Sequence, residues 1–148
     1  MSSHVSLLVG QDQFVTDWLK DKVPGCSDGW DNYTAIGMHD GDNLIGGVVY
    51  SNWNPNFGIV ELAAAATSPR WLTRRTLSDI FIFPFEVLKV RLCLLNVSET
   101  NHRMRSIAER AGFTPHLIPD LRADGEGNIV YTLHKRDWDA GKLKRVPA

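Results

Sequence analysis

Residues 57–97 read strand, helix, strand, and that order constrains the fold more than any other feature of the chain. The first run, 57–67, is apolar except for one carboxylate, Glu61, and ends in four alanines, Ala63 to Ala66. Ser68-Pro69 follows, a capping hydroxyl ahead of a proline, which is a common helix start. Leu72, Leu77, Ile80, Phe81, Phe85 and Leu88 then recur at roughly helical spacing. Pro84 is expected to kink or end that helix, because it has no N–H to donate. The run 90–97 is nearly continuous in apolar residues, as strands covered on both faces are. Two strands joined by a crossover helix lie parallel in one sheet.

The flanking segments add antiparallel pairs. Val5, Leu7, Leu8 and Val9 form a short strand, and Gln11 or Asp12 opens a helix with Phe14, Val15, Trp18 and Leu19 at helical spacing. Pro24-Gly25 stops that helix. Strands 34–38 and 44–50, joined by the turn His39-Asp40-Gly41-Asp42-Asn43, make a hairpin, and a second turn falls at 52–56. After residue 97, Thr100 or Asn101 caps a helix with Met104, Ile107, Ala108 and Ala111 inward, ended by Gly112. Residues 114–121 carry Pro115 and Pro119 and read as an edge strand. A turn at 123–128, a strand at 129–134 and a charged tail close the chain. The expectation is one α+β domain over 1–148, with a mixed, mostly antiparallel sheet and three to four helices.

Composition narrows the function classes. The chain is 148 residues long, 43% hydrophobic and 22% charged, enough for one core and wrong for a disordered chain. The net charge of −1 argues against nucleic acid as a partner. The longest apolar candidate, 80–95, is broken by Pro84, Glu86, Lys89 and Arg91 and falls short of the ~18–20 residues of a membrane span. The first residues, Met-Ser-Ser-His-Val, do not read as a signal peptide. Cys93, inside an apolar run, reads as a buried free thiol, and a reducing cytoplasm is the expected location. The five histidines, His4, His39, His102, His116 and His134, lack metal-ligand spacing, so no metal is expected.

The junction from Glu61 to Arg75 carries the chemistry. A helix N-terminus offers unpaired N–H groups and a partial positive charge. Arg70, Arg74 and Arg75 near it oppose the helix dipole, and make sense if a phosphate-bearing ligand supplies the negative charge. Small alanines on the preceding strand let a ligand approach the backbone. The alternative is that the alanines only pack and the arginines are solvated.

The stretch Asn101-His102-Arg103-Met104-Arg105-Ser106-Ile107-Ala108-Glu109-Arg110-Ala111-Gly112-Phe113, together with the order of elements, resembles the GNAT superfamily of acyl-CoA-dependent N-acetyltransferases. Asn101 and Gly112-Phe113 match the opening and closing of that family's last helix. Pro84-Phe85, Arg91, Tyr131, Leu133 and Arg136-Asp137-Trp138 follow its usual order. Ala35-Ile36-Gly37, Gly46-Gly47-Val48-Val49-Tyr50 and Trp71-Leu72-Thr73-Arg74 resemble a branch associated with bacteriophage genomes, which would place the protein in host cytoplasm.

The resemblance implies a GNAT-like domain whose central strands splay to form an acyl-CoA cleft. Acetyl-CoA would lie along the backbone of Leu62, Ala64 and Ala66, with its pyrophosphate on Trp71, Thr73, Arg74 and Arg75 and a further contact from Asn101. The family's glycine-rich phosphate loop has no glycines here, so side chains such as the Thr73 hydroxyl are expected to compensate. Transfer of the acetyl group to a primary amine, of a small molecule or a protein, needs a base. Glu61 is the candidate, a carboxylate among Ile59, Val60, Leu62 and Ala63. The family's usual acid is a Tyr where this chain has Ala108, which leaves Tyr50, Tyr131 or solvent. Trp18 and Trp30 read as core or cleft walls, and Trp53 as an acceptor-site or homodimer contact. The alternative is a non-catalytic GNAT-fold module that binds CoA or another protein.

Overall fold

The computed structural model describes residues 5–141; His4, the end of the charged tail (142–148) and so both ends of the expected 1–148 domain lie outside them. Seven strands form one sheet in the order β1-β2-β3-β4-β5-β7-β6. They are β1 (Val5–Leu8), β2 (Thr34–Asp40), β3 (Asn43–Asn54), β4 (Ile59–Ala66), β5 (Leu92–Ser98), β6 (Thr114–Ile118) and β7 (Asn128–His134). Every neighbouring pair is antiparallel except β4 and β5, which are parallel as the crossover requires. The β6 strand is the edge strand that Pro115 implies, and it ends at Ile118, before Pro119.

Helices cover both faces. The helix α1 (Asp12–Leu19) buries Val15 and Leu19 against Ala35 and Val49 on one face. On the other face α2 (Arg74–Ile82) and α3 (His102–Arg110) close the larger core, which includes Val60, Leu62, Phe81, Ala108 and Phe113. A Cβ on Gly46 would stand 2.7 Å from the Trp71 ring, so only glycine lets that indole lie on the strand.

Several boundaries differ from the sequence reading, among them the strands read over 57–67, 90–97 and 114–121, which run Ile59–Ala66, Leu92–Ser98 and Thr114–Ile118; four differences have a clear physical cause. The first hairpin turns on Gly41 and Asp42 alone, with Gly41 at φ 62°, so His39, Asp40 and Asn43 belong to the strands. The strand β3 runs on through Trp53 to Asn54, and the next turn follows it. Ser68 caps only one 3-10 turn, Pro69–Trp71, while α2 begins at Arg74. Burying Trp71 returns the chain to the sheet before the helix can start, and Thr73 and Thr76 then form a reciprocal capping box. Pro84 does not end the helix, which widens into one π turn, Phe83–Val87. Pro84 cannot donate to the carbonyl of Ile80; the buried Tyr50 hydroxyl donates to it instead, at 2.6 Å.

A fourth helix, α4 (Lys135–Ala140), arises from the beginning of the charged tail. Its Trp138 is buried and stacks on Phe85, with ring centroids 5.1 Å apart. No helix among the described residues is long and apolar enough to cross a membrane.

Candidate functional site

The parallel pairing of β4 with β5 stops at Leu62 and Leu95. Beyond that point Ala63 to Ala66 pair only with β3, and Asn96 to Ser98 only with β7. The two strands therefore part, and the backbone polar groups of 63–66 that face away from β3 have no strand partner. A run of small residues at the parting point leaves the opening unfilled.

Three cavities meet along this opening. One of about 610 Å³ lies between the start of α2 and the face of α3. One of about 180 Å³ runs over Ala64, Ala65 and Ala66, and shares Trp71, Arg103 and Ile107 with the first. One of about 350 Å³ occupies the split itself and shares Pro24, Ala64, Asn101 and Met104 with the second. They form one groove with chemically distinct ends.

The first end is cationic. Arg74, Arg103 and Arg110 line it, with Thr73 and Ser106. Arg103 and Arg110 are seven residues apart, two helical turns, and so share a face of α3. The sequence reading did not single them out as phosphate ligands; their seven-residue spacing is the signal that could have. Arg70 is diverted to an ion pair with Asp40 at the end of β2. Arg75 is exposed at the second residue of α2 and is not among the residues lining the groove. The Thr73 side chain accepts from Thr76 N at 3.1 Å, and Thr73 N donates to Thr76 Oγ1 at 2.8 Å. The capping box thus occupies two N–H groups that a bare helix start would leave open.

The middle is mixed: Ala64, Ala66, Met104 and Ile107 wall it with Trp71 buried beneath, and Lys22, Asn101 and Arg103 edge it. Leu62 is the last residue paired on both sides, to Tyr50 and Leu95, and its side chain is in the core. Asn101 lines the groove and caps α3, its Oδ1 accepting from Met104 N at 3.2 Å. Ala108 lies below, against a small apolar void of about 40 Å³.

The far end is polar. Asn96, Ser98, Thr100, Arg122, Asp124 and Glu126 line it. Glu126 Oε2 accepts from Ser98 Oγ and, at 3.0 Å, from Thr100 Oγ1. Arg122 and Glu126 sit on the β6–β7 turn, far from the other site residues in sequence, and only the fold brings them here.

Glu61 stands on β4 two residues before Ala63 and on the same face, ~7 Å along the strand. Its Oε2 accepts from Asn52 Nδ2 at 2.9 Å. Val60 and Leu62 turn to the opposite face, so they do not wall its carboxylate. Both tyrosine hydroxyls weighed as acids are committed elsewhere. Tyr50 is buried and bonded to Ile80 O, and burial raises its pKa well above the ordinary value. Tyr131 donates to Glu109 Oε2 at 2.7 Å, and burial, then that bond, raises its pKa. Burial also pushes the Cys93 thiol far up, which leaves it inert as a nucleophile. Among the described residues no three His, Cys, Asp or Glu side chains are grouped to hold a metal.

No family model matches the sequence, and no curated protein matches it. Solved structures do match by shape. A mutant form of the spermidine/spermine N-acetyltransferase from Vibrio cholerae superposes with a TM-score of 0.71 at 13% identity, over 93% of this chain and 98% of that one. A protein described as an acetyltransferase from T. thermophilus gives 0.63 at 20% identity, over 74% of this chain. Another described as an acetyltransferase gives 0.66 at 20%, over 76% of this chain. This chain spans 62% and 64% of the lengths of those two proteins. A seven-stranded, mostly antiparallel sheet with four helices, opened between its two parallel strands, is the GNAT acetyltransferase fold.

Proposed function

We propose that the protein is an acetyl-CoA-dependent N-acetyltransferase that acetylates a primary amine. The observation that carries this reading is the continuous groove through the split between β4 and β5. Its residues fit acetyl-CoA. Arg74, Arg103 and Arg110 would take the phosphates by charge-assisted hydrogen bonds. The free N–H of Arg74 or Arg75 at the start of α2, and the outward side of Thr73, would add to them. The unpaired backbone of Ala64 and Ala66 would hydrogen-bond an amide-bearing arm, with Leu62 and Trp71 as its floor and Asn101 at its side. Acetyl-CoA, when bound, supplies the acetyl thioester: the acceptor nitrogen bonds its carbonyl carbon, the C–S bond breaks, and the thiol leaves carrying a proton.

This chain's own task is to orient the amine and take its proton. Glu61 is the base of this reading, placed just below the split on the face of Ala63. With Tyr50 and Tyr131 engaged elsewhere, solvent in the open groove protonates the thiolate. The named neighbours include spermidine acetyltransferases, and one is dodecameric; Trp53, exposed on the β3–β4 hairpin with Phe57, is this reading's candidate for a homodimer contact. The cytoplasmic location rests on the free cysteines, Cys26 and Cys93, and the bacteriophage association on the sequence resemblance.

A second reading is a non-catalytic CoA-binding or protein-interaction module. The absence of a tyrosine at Ala108 and the capped α2 N-terminus favour it. Calorimetry with CoA and thiol release over a panel of amines separate the two. Replacing Arg74 and Arg103 by Ala should weaken CoA binding more than tenfold, since each charge-assisted bond contributes roughly 1.5–3 kcal/mol. Unchanged affinity would remove the groove as the CoA site. Binding without turnover of any amine would leave the module.

A further inference from the structure

The far end of the groove sets a cation and a carboxylate on one cavity without pairing them. Arg122 and Glu126 are tied through the backbone, Arg122 N to Glu126 O at 3.0 Å, and both side chains line the same cavity of about 350 Å³. Among the described residues Arg122 forms no ion pair with Glu126 or with Asp124. Its side chain makes one hydrogen bond, Nη2 to Asn128 Oδ1 at 2.9 Å. Asn128 Nδ2 in turn donates to Asn96 Oδ1 at 3.0 Å, and Asn96 lines the cavity just past the point where the strands part. The guanidinium is thus held beside the split; its Nε is buried out of a ligand's reach, and its unused donors are the two Nη1 hydrogens and the second Nη2 hydrogen. A half-buried guanidinium with unused donors calls for a planar anion, and a carboxylate fits its fork. Glu126 is held just as firmly, by the hydroxyls of Ser98 and Thr100 on one of its oxygens.

We propose that this cavity takes an acceptor of the amino-carboxylate class, a free amino acid whose ammonium lies at Glu126 and whose carboxylate is taken by Arg122. A cavity of about 350 Å³ sits at the small end of ligand sites, roughly 300–1,000 Å³. A polyamine or a lysine side chain brings only positive charge, and would set it beside an unpaired guanidinium. An amino acid neutralises Arg122 and Glu126 at once; Asp124, the other carboxylate lining the cavity, has its Oδ1 turned to the Glu126 N–H at 3.0 Å and bonds the turn itself. The assignment rests on the acetyl-transfer reading, with Glu126 in place of Glu61 as the carboxylate that takes the amine's proton, because Ser98, which holds Glu126, lies four residues (~13 Å) along β5 from the residue paired with Glu61; the binding itself needs no turnover.

The test uses matched pairs, each L-amino acid against the amine left by its decarboxylation, with two readouts. Thiol release from acetyl-CoA reports transfer, and chemical-shift changes in the protein without acetyl-CoA report binding. The expected result is at least one amino acid preferred over its amine by roughly 10–100-fold in kcat/KM. Arg122→Gln should abolish that preference, Arg122→Lys should keep part of it, and CoA affinity should hold in both. Amines used as well as amino acids, or an Arg122→Gln variant that weakens both members of a pair alike, would overturn the assignment. Should Arg122→Gln not fold, the wild-type preference and the Arg122→Lys variant decide. If CoA binds but nothing is acetylated, the binding arm decides: shifts by amino acids and not by amines support the site, and no shift sinks it. If CoA does not bind, the acetyl-transfer reading fails, and the binding arm judges the cavity independently.

Discussion

Tyr50 shows how one residue answers a defect made by another thirty-four positions away. Pro84 deprives the Ile80 carbonyl of its helical donor, and the Tyr50 hydroxyl supplies one inside the core. Tyr50→Phe leaves that carbonyl buried and unsatisfied, so the cost should be about 1–3 kcal/mol by denaturant unfolding. The burial of the same hydroxyl gives a pH signature. In the unfolded chain tyrosine ionises near pH ~10, whereas burial raises the pKa of Tyr50 in the fold. Above that pH the unfolded state binds fewer protons than the native one, so stability falls as pH rises and is unaffected below. Tyr131 acts in the same direction. Tyr50→Phe should flatten the alkaline fall measured by urea titrations from pH 8 to 11; an unchanged slope would mean Tyr50 ionises freely in the fold. At the site, Glu61→Gln should keep CoA binding and lower the acetylation rate by roughly 10²–10⁴ if Glu61 takes the proton. A loss under threefold would move that role to Glu126 or to water.

At the scale of elements, the two helix starts at the groove are capped differently. The α2 start is closed by Thr73 and Thr76, which bond each other's backbone. The α3 start is closed by Asn101 alone, which also lines the groove. Thr73→Ala should cost about 1 kcal/mol of stability, and CoA affinity then reads whether Thr73 also faces phosphate. Asn101→Ala should cost a similar amount and weaken CoA binding as well. A drop in melting temperature with unchanged CoA affinity would make Asn101 a cap only.

For the whole molecule, the split sheet is a cleft that a ligand can fill from end to end. A ligand that binds only the folded chain stabilises it by mass action, about 2.7 kcal/mol at a hundredfold excess over Kd. For a chain of this size that corresponds to a melting shift of roughly 5–10 °C. Thermal unfolding with saturating CoA should show it, and Arg74→Ala with Arg103→Ala should reduce it. No shift at millimolar CoA would argue that the groove does not take it.

Much of the architecture was written in local pattern. The strand–helix–strand order from 57 to 97 dictated a parallel pair, and Asn101 and Gly112 marked both ends of α3, where Gly112 adopts φ 98°. Hydrophobic spacing and capping chemistry are short-range properties, so a linear reading reaches them. The beginning of α2 was misplaced because burial of Trp71 against Gly46, a contact between distant residues, overrode the Ser68-Pro69 signal. The charged tail hid α4, whose reason to fold is Trp138 on Phe85. The site divides in the same way. Its alanine strand and Arg74 announced themselves by position beside a helix start, and Asn101 entered through the family resemblance. Arg70 was lost to Asp40, thirty residues away, and Arg122 and Glu126 entered from a turn with no motif of its own. Which charges meet a cavity depends on strand pairing across the whole sheet, and that is decided only when the sheet closes around it.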